Sequence, residues 1–102
     1  MSGKGYLIAE ARVGDAIAYE TYKALAEAAI TRHGGRYLVR GGAIEMLEGT
    51  WAKIPRLVIV EFESVDAARR FYASPEYQAA RAARQGAAEM NMLVVAGIEN
   101  QP

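Results

Sequence analysis

Apolar and polar side chains alternate from Tyr6 to Val13. Leu7, Ala9, Ala11 and Val13 fall on one side and Tyr6, Ile8, Glu10 and Arg12 on the other, which predicts a strand whose two faces meet different neighbours. The spacing then changes to three and four. Ile17, Ala18, Tyr22, Leu25, Ala26, Ala29 and Ile30 form a helical stripe over alanine-rich sequence, with Asp15 as the N-cap. Gly34-Gly35 predicts the end of that helix near His33. Arg36–Arg40 (RYLVR) reads as strand and Ala43–Glu48 resumes alternation, so one long strand bent at a Gly41-Gly42 bulge is expected. Residues 49–55 read as a connection, and Arg56–Glu63 as a strand whose run Leu57-Val58-Ile59-Val60 is apolar on both faces, as in a central strand.

Ser64 is positioned to cap a second helix with the stripe Val65, Ala68, Phe71 and Tyr72. Ser74-Pro75-Glu76 carries the signals of a fresh helix start: serine cap, proline in the first turn and an early carboxylate. The second helical region is therefore expected in two pieces, with Gly86 interrupting or ending the second and Glu89 within its reach. Met92–Ile98 predicts a last strand, and Glu99–Pro102 a frayed tail. Strand, helix, strand, strand, helix pair, strand is a repeated split strand-helix-strand unit. Right-handed crossovers turn it into an α+β fold: a four-stranded antiparallel sheet with its helices on one face. The opposite face would carry Tyr6, Ile8, Leu57, Ile59 and either Leu93 and Val95 or Met92 and Val94, too much apolar surface to leave in water. A second copy packed face to face, closing a barrel across two chains, accounts for it, and a homodimer is expected.

Composition narrows the classes. A chain of 102 residues with 52% hydrophobic and 24% charged side chains reads as one globular domain, residues 1–102. Twelve basic and twelve acidic residues cancel, which gives no field to draw in nucleic acid. The absence of cysteine excludes disulfides, a thiolate nucleophile and cysteine-based metal sites. No run approaches a membrane span and no signal-peptide core leads the chain, so a cytoplasmic protein without a membrane partner is expected.

The string Gly34-Gly35-Arg36-Tyr37-Leu38-Val39-Arg40-Gly41-Gly42, with Leu47-Glu48-Gly49, Val60-Glu61-Phe62 and Ser74-Pro75-Glu76-Tyr77-Gln78, resembles the domain of unknown function 1330 family, from Lys4 to Ile98. The resemblance implies a ferredoxin-like protomer in a homodimeric alpha-beta barrel. That superfamily also holds small cofactor-free monooxygenases, muconolactone isomerase-like enzymes and chlorite dismutase-type proteins. The family brings no established reaction with it.

Candidate chemistry is sparse. Glu10 and Glu61 each interrupt an apolar strand and can share the face away from the helices, where burial and mutual repulsion would favour general acid–base work. Arg12, Arg36 and Arg40 are available as ion partners, which would make the same carboxylates structural. Arg40 can clamp a ligand carboxylate or brace Glu61. His33, the only histidine, suits a helix C-terminal cation as well as a polar contact in a site. A lone histidine does not make a usual zinc site, so neither metal nor cofactor is expected.

Six tyrosines suit a pocket wall or an interface, with Tyr22 in the core or roofing a pocket. Trp51 is a candidate lid or partner contact. The alanine-rich stretch with Arg81 and Arg84 reads as an ordinary solvated helix. No phosphate-binding glycine motif is present, nor the exposed aromatic pair of an RNA-binding sheet. The leading expectation is a small aromatic or carboxylated ligand between the sheets, with cofactor-independent acid–base or oxygenase-type chemistry in which Glu61 moves a proton and His33 is the second catalytic candidate, Arg40 holds an anion, and Tyr6, Glu10, Tyr22 and Trp51 are further contacts. A noncatalytic ligand sensor, and a solidly packed dimer with polar groups setting its registry, are the alternatives.

Overall fold

A computed structural model describes residues 3–51 and 53–99, so the tail expected to fray lies, apart from Glu99, outside the described residues. Four strands and three helices follow in the order β1 (Gly5–Val13), α1 (Ala16–Arg32), β2 (Arg36–Arg40), β3 (Leu57–Phe62), α2 (Val65–Ala73), α3 (Pro75–Ala83) and β4 (Ala88–Ala96). The sheet order is β2-β3-β1-β4 and every neighbouring pair is antiparallel. With the helices packed on one side, this is the ferredoxin-like arrangement that the order of elements predicts.

Local signals explain the helix ends. The Asp15 carboxylate accepts from the amides of Ile17 and Ala18, both at 3.1 Å, and opens α1. Gly34, at φ 76°, takes the left-handed conformation that ends it. Ser74 works on both sides of the helix break. Its hydroxyl donates to the Phe71 carbonyl at 2.7 Å and accepts from the Tyr77 amide at 3.1 Å, while Pro75 holds the preceding residue out of helical geometry.

The core lies between sheet and helices. Leu7, Ala11, Val60 and Phe62 meet Tyr19, Tyr22, Ala26, Ala29 and Ile30 of α1, Ala68 and Phe71 of α2, and Tyr77 and Ala80 of α3. The buried stripe of α1 therefore runs through Tyr19 and Tyr22; Ile17, assigned to it from its spacing, is 86% exposed, and Leu25 is also exposed. Both lie one step off the face that meets the sheet.

Two further expectations change. Residues 43–48 form no strand: β2 stops at Arg40, and every described residue from Gly41 to Lys53 is exposed. Alternation there has no neighbouring strand to pair with, and the segment is an arm presenting Ile44, Met46, Leu47 and Trp51 to solvent. The irregularity in β2 also lies earlier than the glycine pair, between Tyr37 and Val39. At the other end, α3 stops at Ala83, and Gly86 at φ 77° turns the chain so that Ala88 and Glu89 begin β4.

Candidate functional site

Strand register assigns the faces. Tyr37, Val58, Val60, Phe62, Leu7, Ala11, Met90, Met92 and Val94 pack toward the helices. Alternation therefore puts Arg36, Leu57, Ile59, Glu61, Tyr6, Ile8, Glu10, Asn91, Leu93 and Val95 on the open face. Of the two alternatives for β4, Leu93 and Val95 are the open-face pair, 56% and 47% exposed. The protomer's own helices do not cover this face.

Glu61 is the best-held polar group there. Its side chain is 19% exposed, Arg36 Nη2 donates to Oε1 at 3.1 Å, and the Tyr6 hydroxyl donates to Oε2 at 3.4 Å. Tyr6 and Glu61 are register partners across β1 and β3, and Arg36 stands opposite Glu61 from β2. Three neighbouring strands thus build this carboxylate site. Glu10 lies four residues along β1 from Tyr6, roughly 13 Å away at strand rise. It accepts from Asn91 Nδ2 at 2.6 Å. The two carboxylates share a face with Ile8 and Ile59 between them, but they do not form a dyad. Arg12 serves neither, since its Nη2 donates to the Lys53 carbonyl at 3.3 Å.

Arg40 is on the other side of the sheet. Val39 is the partner of Ile59 and Arg40 of Val58, so the extra residue Leu38 reverses the facing of Val39 and Arg40. Without that shift Arg36 and Arg40 would point the same way. Instead Arg40 pairs with Glu27 of α1 and lies 4.4 Å over the Tyr37 ring. The hydrogen bond to Glu27 raises its pKa further above the usual guanidinium value. The expected brace between Arg40 and Glu61 is replaced by Arg36.

His33 also belongs to the helix side. Its Nε2 is 2.8 Å from Glu76 Oε1 and its ring meets Phe71 edge-on, so it ties the end of α1 to α3. The hydrogen bond from His33, helped by Arg32, holds the Glu76 carboxyl below its ordinary range. Tyr22 lies in the core with its hydroxyl 3.1 Å from that of Tyr77, which in turn donates to Met92 Sδ at 3.9 Å. Burial pushes the Tyr22 phenol up, and Tyr77 adds to the shift, so Tyr22 keeps its proton. The space beside this pair is only about 30 Å³, room for roughly one water. Trp51 is 79% exposed on the arm, away from any enclosed space.

A second concave region has no signature in the sequence pattern. Between α2, α3 and the edge strand β4 lies an open groove of about 630 Å³, lined in part by Tyr72, Arg81, Arg84, Met92 and, at the rim, Leu93. Arg84, which reads as a solvated helix residue, is half-buried with its guanidinium 5.6 Å over the Tyr22 ring. It stands just past the end of α3, where the chain turns back toward the sheet, and helix docking rather than its sequence neighbours brings it over that ring. Among the described residues no group of three or more His, Asp or Glu is gathered to hold a metal ion. Nor is any described helix long and apolar enough to cross a membrane.

Three solved structures give the fold its context. A protein of unknown function from Rhodopseudomonas palustris superposes with a TM-score of 0.75 at 22% identity, covering 98% of this chain and 86% of its own. SnoaB, a cofactor-independent oxygenase from Streptomyces nogalater, gives 0.67 at 17% identity over 99% of both chains. A dimeric protein of unknown function and ferredoxin-like fold from Bacteroides fragilis gives 0.63 at 16% identity over 93% and 97%. Among curated proteins none matches in sequence. The model of the domain of unknown function DUF1330 matches residues 4–98, and the chain belongs to that family.

Proposed function

We propose that the protein works as a homodimer whose open sheet faces pack together, and that a small aromatic or carboxylated molecule binds between them against Glu61. The observation that carries this reading is the open face itself: Ile8, Ile59, Leu93 and Val95 without cover from the chain's own helices, with one well-held carboxylate among them. An apolar face of this kind is stable when a partner buries it. That a protein of the same fold is described as dimeric supports self-association. In a catalytic version, Glu61 exchanges a proton with the ligand while Tyr6 and Arg36 hold its oxygens, chemistry that requires no cofactor.

One observation favours a second, noncatalytic reading. Both oxygens of Glu61 already have partners, Arg36 and Tyr6, so the group can also serve to fix the registry of the two sheets. Sedimentation of the wild type and of Leu93→Asp, with a crystal structure of the protein purified without added ligand, tests both. A dimer that the substitution dissociates, with organic density beside Glu61, supports the first reading. A dimer with a solidly packed centre supports the second. A monomer at micromolar concentration overturns both.

A further inference from the structure

The groove runs between the helices and the edge strand β4, where Asn91 and Leu93 bring it to the rim of the open face, and its chemistry differs from that of the Glu61 site. Met90, Met92 and Val94 of β4 form an apolar floor, and arginines from α2 and α3 stand above it. Among the described residues no acidic side chain lines it. Arg69 is engaged by Asp66 at 3.1 Å. Arg81 and Arg84, by contrast, have no carboxylate partner among the described residues. The Nε of Arg84 is buried without a hydrogen-bond acceptor. That nitrogen is closed off, so an anion in the groove meets the terminal Nη groups, and a planar guanidinium without a carboxylate partner matches a carboxylate with two parallel bonds. Methionines beneath it offer a deformable surface to an aliphatic or aromatic body. The volume lies within the range of small-molecule sites.

We infer that this groove binds a small carboxylate with an apolar body, its head held by Arg84 with Arg81 and its body laid along Met90, Met92 and Val94. Tyr72, at the exposed side of the groove, flanks the body. The apolar floor is what separates this site from one for inorganic phosphate, which has no body to place there.

Octanoate is the probe, with octanol, acetate and inorganic phosphate as controls, followed by calorimetry and by the methyl resonances of the methionines. Octanoate is expected to bind at least about tenfold more tightly than octanol, acetate or phosphate. It should move the methyl signals of Met90 and Met92 and leave Met46, on the arm, unmoved. Arg84→Gln should weaken binding by about tenfold or more and Arg84→Lys should restore it only in part, whereas Arg70→Gln, exposed on α2 and outside the lining of the groove, should leave it unchanged. If Arg84→Gln does not fold, Arg81→Gln and the wild-type methyl shifts carry the test. Octanoate binding unaffected by Arg84→Gln, or shifts confined to open-face residues such as Ile59, would overturn the site. Phosphate binding as tightly as octanoate would overturn the assignment of a carboxylate with an apolar body.

Discussion

The two faces of one sheet show how differently the same strand chemistry can be used. Toward the helices, Val60, Phe62 and Phe71 are almost wholly buried, and aromatic rings run in contact from Phe62 through Phe71 and Tyr77 to Tyr22 and Tyr19. On the open face, side chains of similar hydrophobicity remain half in water, and charged groups stand among them. Burial on the first face stabilises the protomer directly. On the second it becomes available only when another surface arrives. Apolar residues therefore contribute to folding on one side of the sheet and, in the proposed dimer, to recognition on the other.

The sharpest way to break this contrast is a pair of alanine substitutions. Phe71→Ala, in the core, is expected to cost about 3–5 kcal/mol of stability at every protein concentration. Leu93→Ala, on the open face, should stay within about 0.5 kcal/mol for the isolated protomer, any larger loss vanishing on dilution. Urea unfolding at several concentrations measures both. Equal losses independent of concentration would erase the distinction between the faces.

A smaller effect sharpens the helix side. Ser74→Ala removes the cap of α3 and the donor to the Phe71 carbonyl together, and an expected loss of about 1–2 kcal/mol should appear in the same unfolding experiment. A loss below the error of the measurement would mean that packing alone holds the break between α2 and α3.

The smallest effect is one of pH. Because Glu76 is held below its ordinary carboxyl value in the folded protein, its pairing with His33 and Arg32 adds stability above the unfolded pKa of about 4.3. That contribution is lost as the pH falls through the lowered folded value. Urea midpoints measured from neutral pH into acid should fall more steeply for the wild type than for Glu76→Gln. Parallel curves would show that the pair carries no linkage.

Most elements were legible because their signals are local. The alternation in β1, the Asp15 cap, the serine-proline break and the glycine turns each depend on a few neighbouring residues, and each appears in the structure. The site was only partly legible. Glu61 and Tyr6 share the expected face, and Arg36, named as an available ion partner, is the one that binds Glu61. Arg40 moved to the opposite side because the single extra residue Leu38 inverts alternation, and nothing in RYLVR marks which residue the partner strand skips. Ala43–Glu48 alternates like a strand yet forms none, since alternation becomes a strand only where another strand offers its hydrogen bonds.

By itself, the sequence determined the kinds of element, most of their ends, the antiparallel α+β topology and the two-sided character of the sheet, because periodicity, caps and turns act over short spans. Only the tertiary structure decided which arginine meets Glu61, that His33 joins α1 to α3, and that Arg84 stands over a groove floored by methionines. Those outcomes depend on strand register and helix docking, set by the packing of residues far apart in the chain, where a shift of one position exchanges one side of the sheet for the other.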